Sequence, residues 1–204
     1  MPLAGRAVLA WLIERLRRTA LKIVVATSAE RADDDIERLA RSLDADCYRG
    51  ALEDVAARLA GAARRAGFEA FVRANADSPL LDPALVRQAH ALFVERPCDL
   101  VTNVFPRSFP KGMSVEIIGL DAMDRALEST ADAQDREHVT RFFYSHPERF
   151  RIRNFAAPRP RPALQLSVDT PEDLMRIEAC IRRLGTRALE AGWEELADCA
   201  GSIS

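Results

Sequence analysis

The chain has 204 residues, 48% of them apolar, which is enough for one hydrophobic core and about one domain of ordinary size. Its 29 basic residues are matched by 31 acidic ones, so the formal charge of -2 supplies no global field for nucleic acid. No apolar run reaches the ~20 residues needed to cross a bilayer. Met1-Pro2-Leu3 also lacks the basic and apolar regions of a secretory leader, and the sequence predicts a cytoplasmic protein without a membrane partner.

Val8, Leu9, Leu12, Ile13 and Leu16 recur at helical spacing with charged residues on the opposite face, which predicts an opening amphipathic helix. Leu21 to Thr27 is a β-branched run short enough for a buried strand, followed by a helix over Asp33 to Ser42 and a short strand over Ala45 to Tyr48. A helix from Leu52 to Ala66 is stopped by Gly67, and Glu69 to Arg73 reads as the third strand. Pro83 suits the first turn of a helix running to Val94, and Asp99 to Val104 is a fourth strand. This alternation predicts an α/β fold with a parallel sheet covered on both faces.

From Phe105 the rhythm becomes irregular. The pattern predicts a strand over Ser114 to Ile118, a helix from Asp121, a helix over Asp135 to Ser145 and a strand over Phe150 to Phe155. Pro158, Pro160 and Pro162 form an extended spacer before Leu164 to Val168. Thr170 then caps a helix reaching Leu184, with Pro171, Glu172 and Asp173 in its first turn, and a polar tail helix runs to about Cys199. Cys47, Cys98, Cys180 and Cys199 make no CxxC or CxxH pattern, and His90, His138 and His146 make no HxH or HExxH pattern. The expectation is reduced thiols and no zinc site.

Ligand sites in such sheets lie beyond the carboxyl ends of the strands, which directs attention to Thr27-Ser28, to Arg73 through Asp77 and to Thr102 through Arg107. Val72-Arg73-Ala74-Asn75-Ala76-Asp77-Ser78-Pro79-Leu80 leaves a strand and presents Asp77 in a turn before a helix. Leu166-Ser167-Val168-Asp169-Thr170-Pro171-Glu172-Asp173-Leu174 places Asp169 where a strand is expected to give way to a capped helix. Two such carboxylates can share a magnesium ion with substrate phosphates, because magnesium takes one or two carboxylates plus phosphate oxygens and water. The competing reading is that each aspartate is a turn former or helix cap.

Seven stretches in order resemble the cytidylyltransferase family of CMP-sugar synthetases, especially the spore-coat polysaccharide branch related to the CMP-Kdo and acylneuraminate enzymes. They are Pro2 to Arg6, Ile23 to Ser28, Arg49-Gly50 with Glu53-Asp54-Val55, Val72 to Pro83, Asn103 to Glu116, Arg136 to Thr140, and Ser167 to Leu174. The resemblance implies a three-layer, Rossmann-like nucleotidyltransferase fold of the glycosyltransferase A-like type, with a mostly parallel sheet in a single domain over 1–204. It also implies a dimerisation or acceptor subdomain at about 105–161, and hence a homodimer. The implied reaction is transfer of CMP from CTP to an acidic sugar with release of pyrophosphate. Asp77 and Asp169 would hold Mg2+ and act in catalysis, and Thr27, Gly50, Asp54 and Arg58 would lie near the nucleotide. Arg73, Asn103, Arg107, Glu116, Glu137 and His138 would form the acceptor side. Arg73, Arg107 and Arg136 suit an anionic sugar because guanidinium matches carboxylate in a two-pronged geometry. The competing readings are solvated surface arginines, in a chain whose 29 basic residues are all arginine except Lys22 and Lys111, and a buried, satisfied Glu137-His138 pair.

Members of that family open with a strand and a loop of the form R-x-x-S-x-R-x-x-x-K that cradles the triphosphate, whereas Met1 to Arg6 matches the segment after it. The expectation is therefore a first strand missing from residues 1–204, normally placed between the strands at Leu21–Thr27 and Phe71–Arg73, and impaired catalysis by these residues alone. A start site set too late, a degenerate relative and a fragment completed by another chain all fit. The alternative function is a non-catalytic nucleotide- or sugar-binding or assembly protein, a reading also suggested by Ala76 where the family has glycine before the aspartate. A sugar transferase is disfavoured because no DxD-type donor motif directly follows a strand.

Overall fold

The computed structural model describes residues 1–203. A small antiparallel hairpin, β1 (Pro2–Leu3) and β2 (Arg6–Ala7), leads into α1 (Val8–Leu16). β3 (Val24–Ser28), α2 (Asp34–Ser42), β4 (Asp46–Gly50), α3 (Val55–Ala66) and β5 (Ala70–Arg73) follow in strict alternation. Asp54 caps α3 by accepting the Ala57 amide at 2.9 Å, and Gly67 ends the helix in the left-handed conformation at φ +74°. α4 (Pro83–Glu95) and β6 (Leu100–Thr102) complete the first half.

The sheet departs from the expected parallel arrangement. β3 and β4 form a parallel pair, while a separate sheet has the order β5-β7-β6-β8, with β7 at Glu116–Gly119 and β8 at Ile152–Asn154. β7 runs antiparallel to both β5 and β6, so only the β6–β8 ladder of that sheet is parallel. Among the described residues β3 pairs only with β4 and β5 only with β7, leaving each with one unpaired edge. Helix α1 spans the two sheets. Its Val8, Trp11 and Leu12 join the main core with Ala70 and Val72, while Ile13 packs with Ile23, Val25 and Ala40. On the second core, Ala56 and Ala60 of α3 meet Phe71 and Ile118.

α5 (Leu120–Ser129) follows β7 directly. The single helix expected from Asp135 to Ser145 is broken into α6 (Ala133–Glu137) and α7 (Arg141–Ser145), because Val139 between them takes a positive φ of 30° that no helix allows. Phe142, Phe143 and Phe150 are buried around α5 and β6, and Phe155 joins the main core. The stretch 105–161 thus supplies β7 and β8 to the sheet and part of its packing. The four cysteines are free thiols, and burial pushes the Cys180 thiol up to about 12, with Cys199 adding to the shift.

Leu164 to Val168 is not a ladder strand. It makes one isolated bridge, Lys111 with Gln165, fixed by the Lys111 amide to the Leu164 carbonyl at 2.9 Å and the Leu166 amide to the Lys111 carbonyl at 2.8 Å. Gly112 allows this approach. At φ +89° it lies so close to Leu166 that a β-carbon would sit 2.6 Å from both the Leu166 carbonyl oxygen and the Ser167 nitrogen. Gly112→Ala is expected to cost about 2 kcal/mol or more through backbone strain, read as a lower unfolding temperature. An unchanged melting temperature would remove the need for glycine there.

α8 (Pro171–Leu184) begins with the expected cap. The Thr170 hydroxyl accepts the Asp173 amide at 3.2 Å while the Asp173 carboxylate accepts the Thr170 amide at 3.1 Å, a reciprocal capping box. The tail helix α9 (Trp193–Gly201) is preceded by a 3-10 turn over Gly185–Leu189. Arg15 of α1 reaches across to this region. Fully buried, it donates to the carbonyls of Leu81 at 3.1 Å, Ala188 at 2.6 Å and Ala191 at 2.8 Å. Burial lowers its pKa to about 10, with the nearby Asp82 charge opposing the shift.

Candidate active site

Because β7 opposes both β5 and β6, its first residue meets their last ones. Glu116 is in register with Arg73 on one side and Thr102 on the other, so the carboxyl ends of β5 and β6 share one edge. The loop that leaves β5 carries Asp77, and the loop that enters α8 carries Asp169. One backbone hydrogen bond joins them, from the Val168 amide to the Asp77 carbonyl at 2.8 Å. Although the segment before Asp169 is not a ladder strand, this bond brings both aspartates to one edge.

Both carboxylates are exposed. Asp77 Oδ1 accepts the Ser78 hydroxyl at 2.8 Å, and Asp169 Oδ2 accepts Gln165 Nε2 at 2.6 Å and the Ser167 hydroxyl at 3.4 Å. Asp77 Oδ2 and Asp169 Oδ1 have no protein partner among the described residues. No group of three or more His, Cys, Asp or Glu side chains that would hold a metal ion occurs among them either. The donor set is thus two carboxylates with free oxygens and no sulfur or imidazole. That set fits a magnesium ion completed by phosphate oxygens and water, and does not suit zinc.

The predicted nucleotide residues cluster at the ends of β3 and β4. Thr27 is buried and donates to Asp33 at 2.9 Å, and the Ser28 amide donates to the same carboxylate oxygen at 3.0 Å. The Ser28 side chain first, and then the Thr27 hydroxyl, hold the Asp33 carboxyl below its ordinary range, with the Ser28 amide adding less. Gly50 ends β4 with the Arg58 stem against it, where a β-carbon would meet Arg58 Cγ at 2.9 Å. Arg58 donates to the Leu52 carbonyl at 3.0 Å, and its buried Nε has no partner among the described residues. Asp54, besides capping α3, accepts Arg136 at 3.1 Å.

The acceptor-side residues divide. Arg73 is a quarter exposed and pairs with the buried Glu116 at 2.6 Å, and Arg107 donates to the Ser114 hydroxyl at 3.0 Å. Asn103 is fully buried with its amide bonded to backbone at both ends, to the Met113 carbonyl at 2.8 Å and from the Val115 amide at 2.9 Å, so it shapes the loop rather than facing a ligand. Arg136 is likewise spent on Asp54 and on the carbonyls of Leu127, at 2.7 Å, and Thr130, at 3.0 Å. Glu137 and His138 are exposed, not a buried pair. The sequence reading named Thr102 as a strand end and Thr140 within a matching stretch but gave neither a role, and it missed Tyr144; the hydroxyls of Thr140 and Tyr144 meet at Glu116, with Thr102 bonded to Tyr144. Register with Glu116 makes Thr102 traceable from the strand pairing, whereas nothing local marks Tyr144.

Solved structures share this architecture. A cytidylyltransferase from Leptospira borgpetersenii is 25% identical and superposes with a TM-score of 0.91, covering 97% of this chain and 84% of that one. A CMP:2-keto-3-deoxy-manno-octonic acid synthetase complexed with CTP shares the fold at 12% identity, with a TM-score of 0.68 and 90% of each chain covered. The spore coat polysaccharide biosynthesis protein SpsF of Bacillus subtilis is 26% identical over 195 residues, 91% of this chain and 80% of that protein. An uncharacterized protein of Methanocaldococcus jannaschii is 28% identical over 177 residues, 85% of this chain and 72% of that protein. The cytidylyltransferase family model matches residues 1–195, from the hairpin before α1 into α9 and across both aspartate loops, and so this chain belongs to the cytidylyltransferase family.

Proposed function

We propose that the chain binds CTP with Mg2+ and transfers CMP to a hydroxyl of an acidic sugar. The observation that carries this reading is the Val168–Asp77 backbone bond, which sets the exposed carboxylates of Asp77 and Asp169 at one strand edge. Family membership and the CTP named for a structural neighbour support it. The magnesium ion would neutralise charge on the triphosphate oxygens. In the transfer, a bond forms between the acceptor oxygen and the α-phosphorus as the α–β anhydride breaks. Pyrophosphate leaves with the electron pair, and the acceptor hydroxyl gives its proton to solvent water. Asp77 and Asp169 hold the ion, the β3 and β4 ends with Gly50 and Arg58 receive the nucleotide, and Arg73 and Arg107 with His138 take the anionic acceptor.

The test is pyrophosphate release from CTP by the purified chain with magnesium and a panel of acidic and neutral sugars. A CMP-sugar should form with an acidic acceptor and require the metal. Failure to bind CTP in calorimetry at millimolar concentration would overturn the reading, and CTP binding without turnover of any acceptor would favour a non-catalytic binding protein.

A further inference from the structure

We propose that Tyr144 is a positioning residue that sets Arg73 through Glu116. The inference rests on the reading of Arg73 as an acceptor-binding group, but its geometry stands apart from that reading. Glu116 is nearly inaccessible, its side chain 5% exposed against 23% for Arg73. Its Oε2 accepts Arg73 at 2.6 Å, while its Oε1 accepts the Tyr144 hydroxyl at 2.5 Å and the Thr140 hydroxyl at 2.8 Å.

The direction of these bonds is determined. A carboxylate paired with a guanidinium only accepts, so Tyr144 must give its single proton to Glu116. The Thr102 hydroxyl, 2.8 Å from the Tyr144 oxygen, must then be the donor in that contact. The result is a one-way chain from Thr102 through Tyr144 that ends on Glu116 Oε1, while Arg73 donates to Oε2 of the same carboxylate. Burial, and then the Glu116 charge, raise the Tyr144 hydroxyl far above its usual range, so it keeps that proton at any working pH.

Tyr144 is also clamped at its ring. Phe105, an exposed aromatic after β6, stacks on it with centroids 4.7 Å apart and planes 20° from parallel. Thr140 stands at the N-terminal boundary of α7 with its hydroxyl on Glu116 rather than on the helix end, and Tyr144 lies one turn later, so one short segment supplies both hydroxyls to Glu116. Without them Glu116 would keep only Arg73, and the pair would be free to swing toward water. A buried, fully bonded carboxylate instead holds one face of the guanidinium and leaves the other in a fixed orientation.

Tyr144→Phe tests this, since it removes one oxygen and retains the stacked ring. We expect KM for an acidic acceptor to rise about tenfold, the typical effect of one charge-assisted hydrogen bond. KM for CTP and the melting temperature should stay near the parent values. In an Arg73→Ala background Tyr144→Phe should add nothing to the acceptor KM. A second readout needs no turnover: the Arg73 guanidinium signals in nitrogen NMR should show hindered rotation in the parent and averaging in Tyr144→Phe. Unchanged Arg73 signals would overturn the proposal whether or not the protein is active. An unchanged acceptor KM with a lowered melting temperature would also overturn it, leaving Tyr144 a packing residue. If no acceptor is turned over but the Arg73 signals change as expected, the positioning stands and the assignment of the reaction fails.

Discussion

Alanine at Asp77 or at Asp169 is expected to lower metal-dependent pyrophosphate release by at least about 10²–10³-fold, the loss typical for one preorganised group that stabilises transition-state charge. The melting temperature should stay nearly constant, because both side chains are exposed and the bond that links their loops runs between main-chain atoms. The two substitutions act on one ion, so the double variant should be little worse than either single one. Asn at either position keeps the shape and one oxygen, and should recover some activity at raised magnesium. The check is a magnesium titration at saturating CTP for each variant. Parent-like rates in both alanine variants would sink the assignment of the metal site.

The second large effect concerns stability. Arg15→Met replaces a fully buried guanidinium by an apolar chain of similar length and strands the carbonyls of Leu81, Ala188 and Ala191. Each buried, unsatisfied carbonyl costs about 1–3 kcal/mol, partly offset by the relief of desolvating a charge. A net loss of about 3–5 kcal/mol is expected, which for a chain of this size lowers the melting temperature by on the order of 10 °C. Arg15→Lys should recover only part of it. An ammonium presents its donors at one point, whereas the three carbonyls come from segments met by three different nitrogens of a planar fork. Thermal unfolding followed by circular dichroism decides, and a shift under 2 °C for Arg15→Met would show that the surrounding loops close on the space without cost.

Sequence pattern carried the helices of the first half well, because α1 shows apolar residues at helical spacing, Gly67 marks the stop of α3 and Pro83 the start of α4. Strand direction was not legible. Val115-Glu116-Ile117-Ile118 has the same composition whether it runs with or against its neighbours, and only the tertiary fold inserts it between β5 and β6. The break at Val139 was equally hidden, since a β-branched residue gives no local signal for a positive φ. At the site, Asp77 and Asp169 were singled out because each follows an expected strand, and the two loops do meet, even though the second lacks its strand. Asn103 drew attention through the resemblance and Arg136 by residue type, yet their partners lie in segments whose approach no spacing reveals. Tyr144 escaped for the same reason: it meets Glu116 from a helix 28 positions away.

The unpaired edges of β3 and β5 have a consequence for how the protein behaves in a tube. Val24 to Ser28 and Ala70 to Arg73 each hold one row of main-chain donors and acceptors outside any ladder. Such rows template the addition of any extended chain, including one from a second molecule. Val24, Val25, Phe71 and Val72 add apolar, β-prone side chains, and Arg73 brings the one charge on these two strands, so a preparation limited to residues 1–204 is expected to associate edge to edge as its concentration rises. A lysine placed toward solvent on β3 is the substitution expected to oppose that association, by putting a charge where a second edge would have to dock.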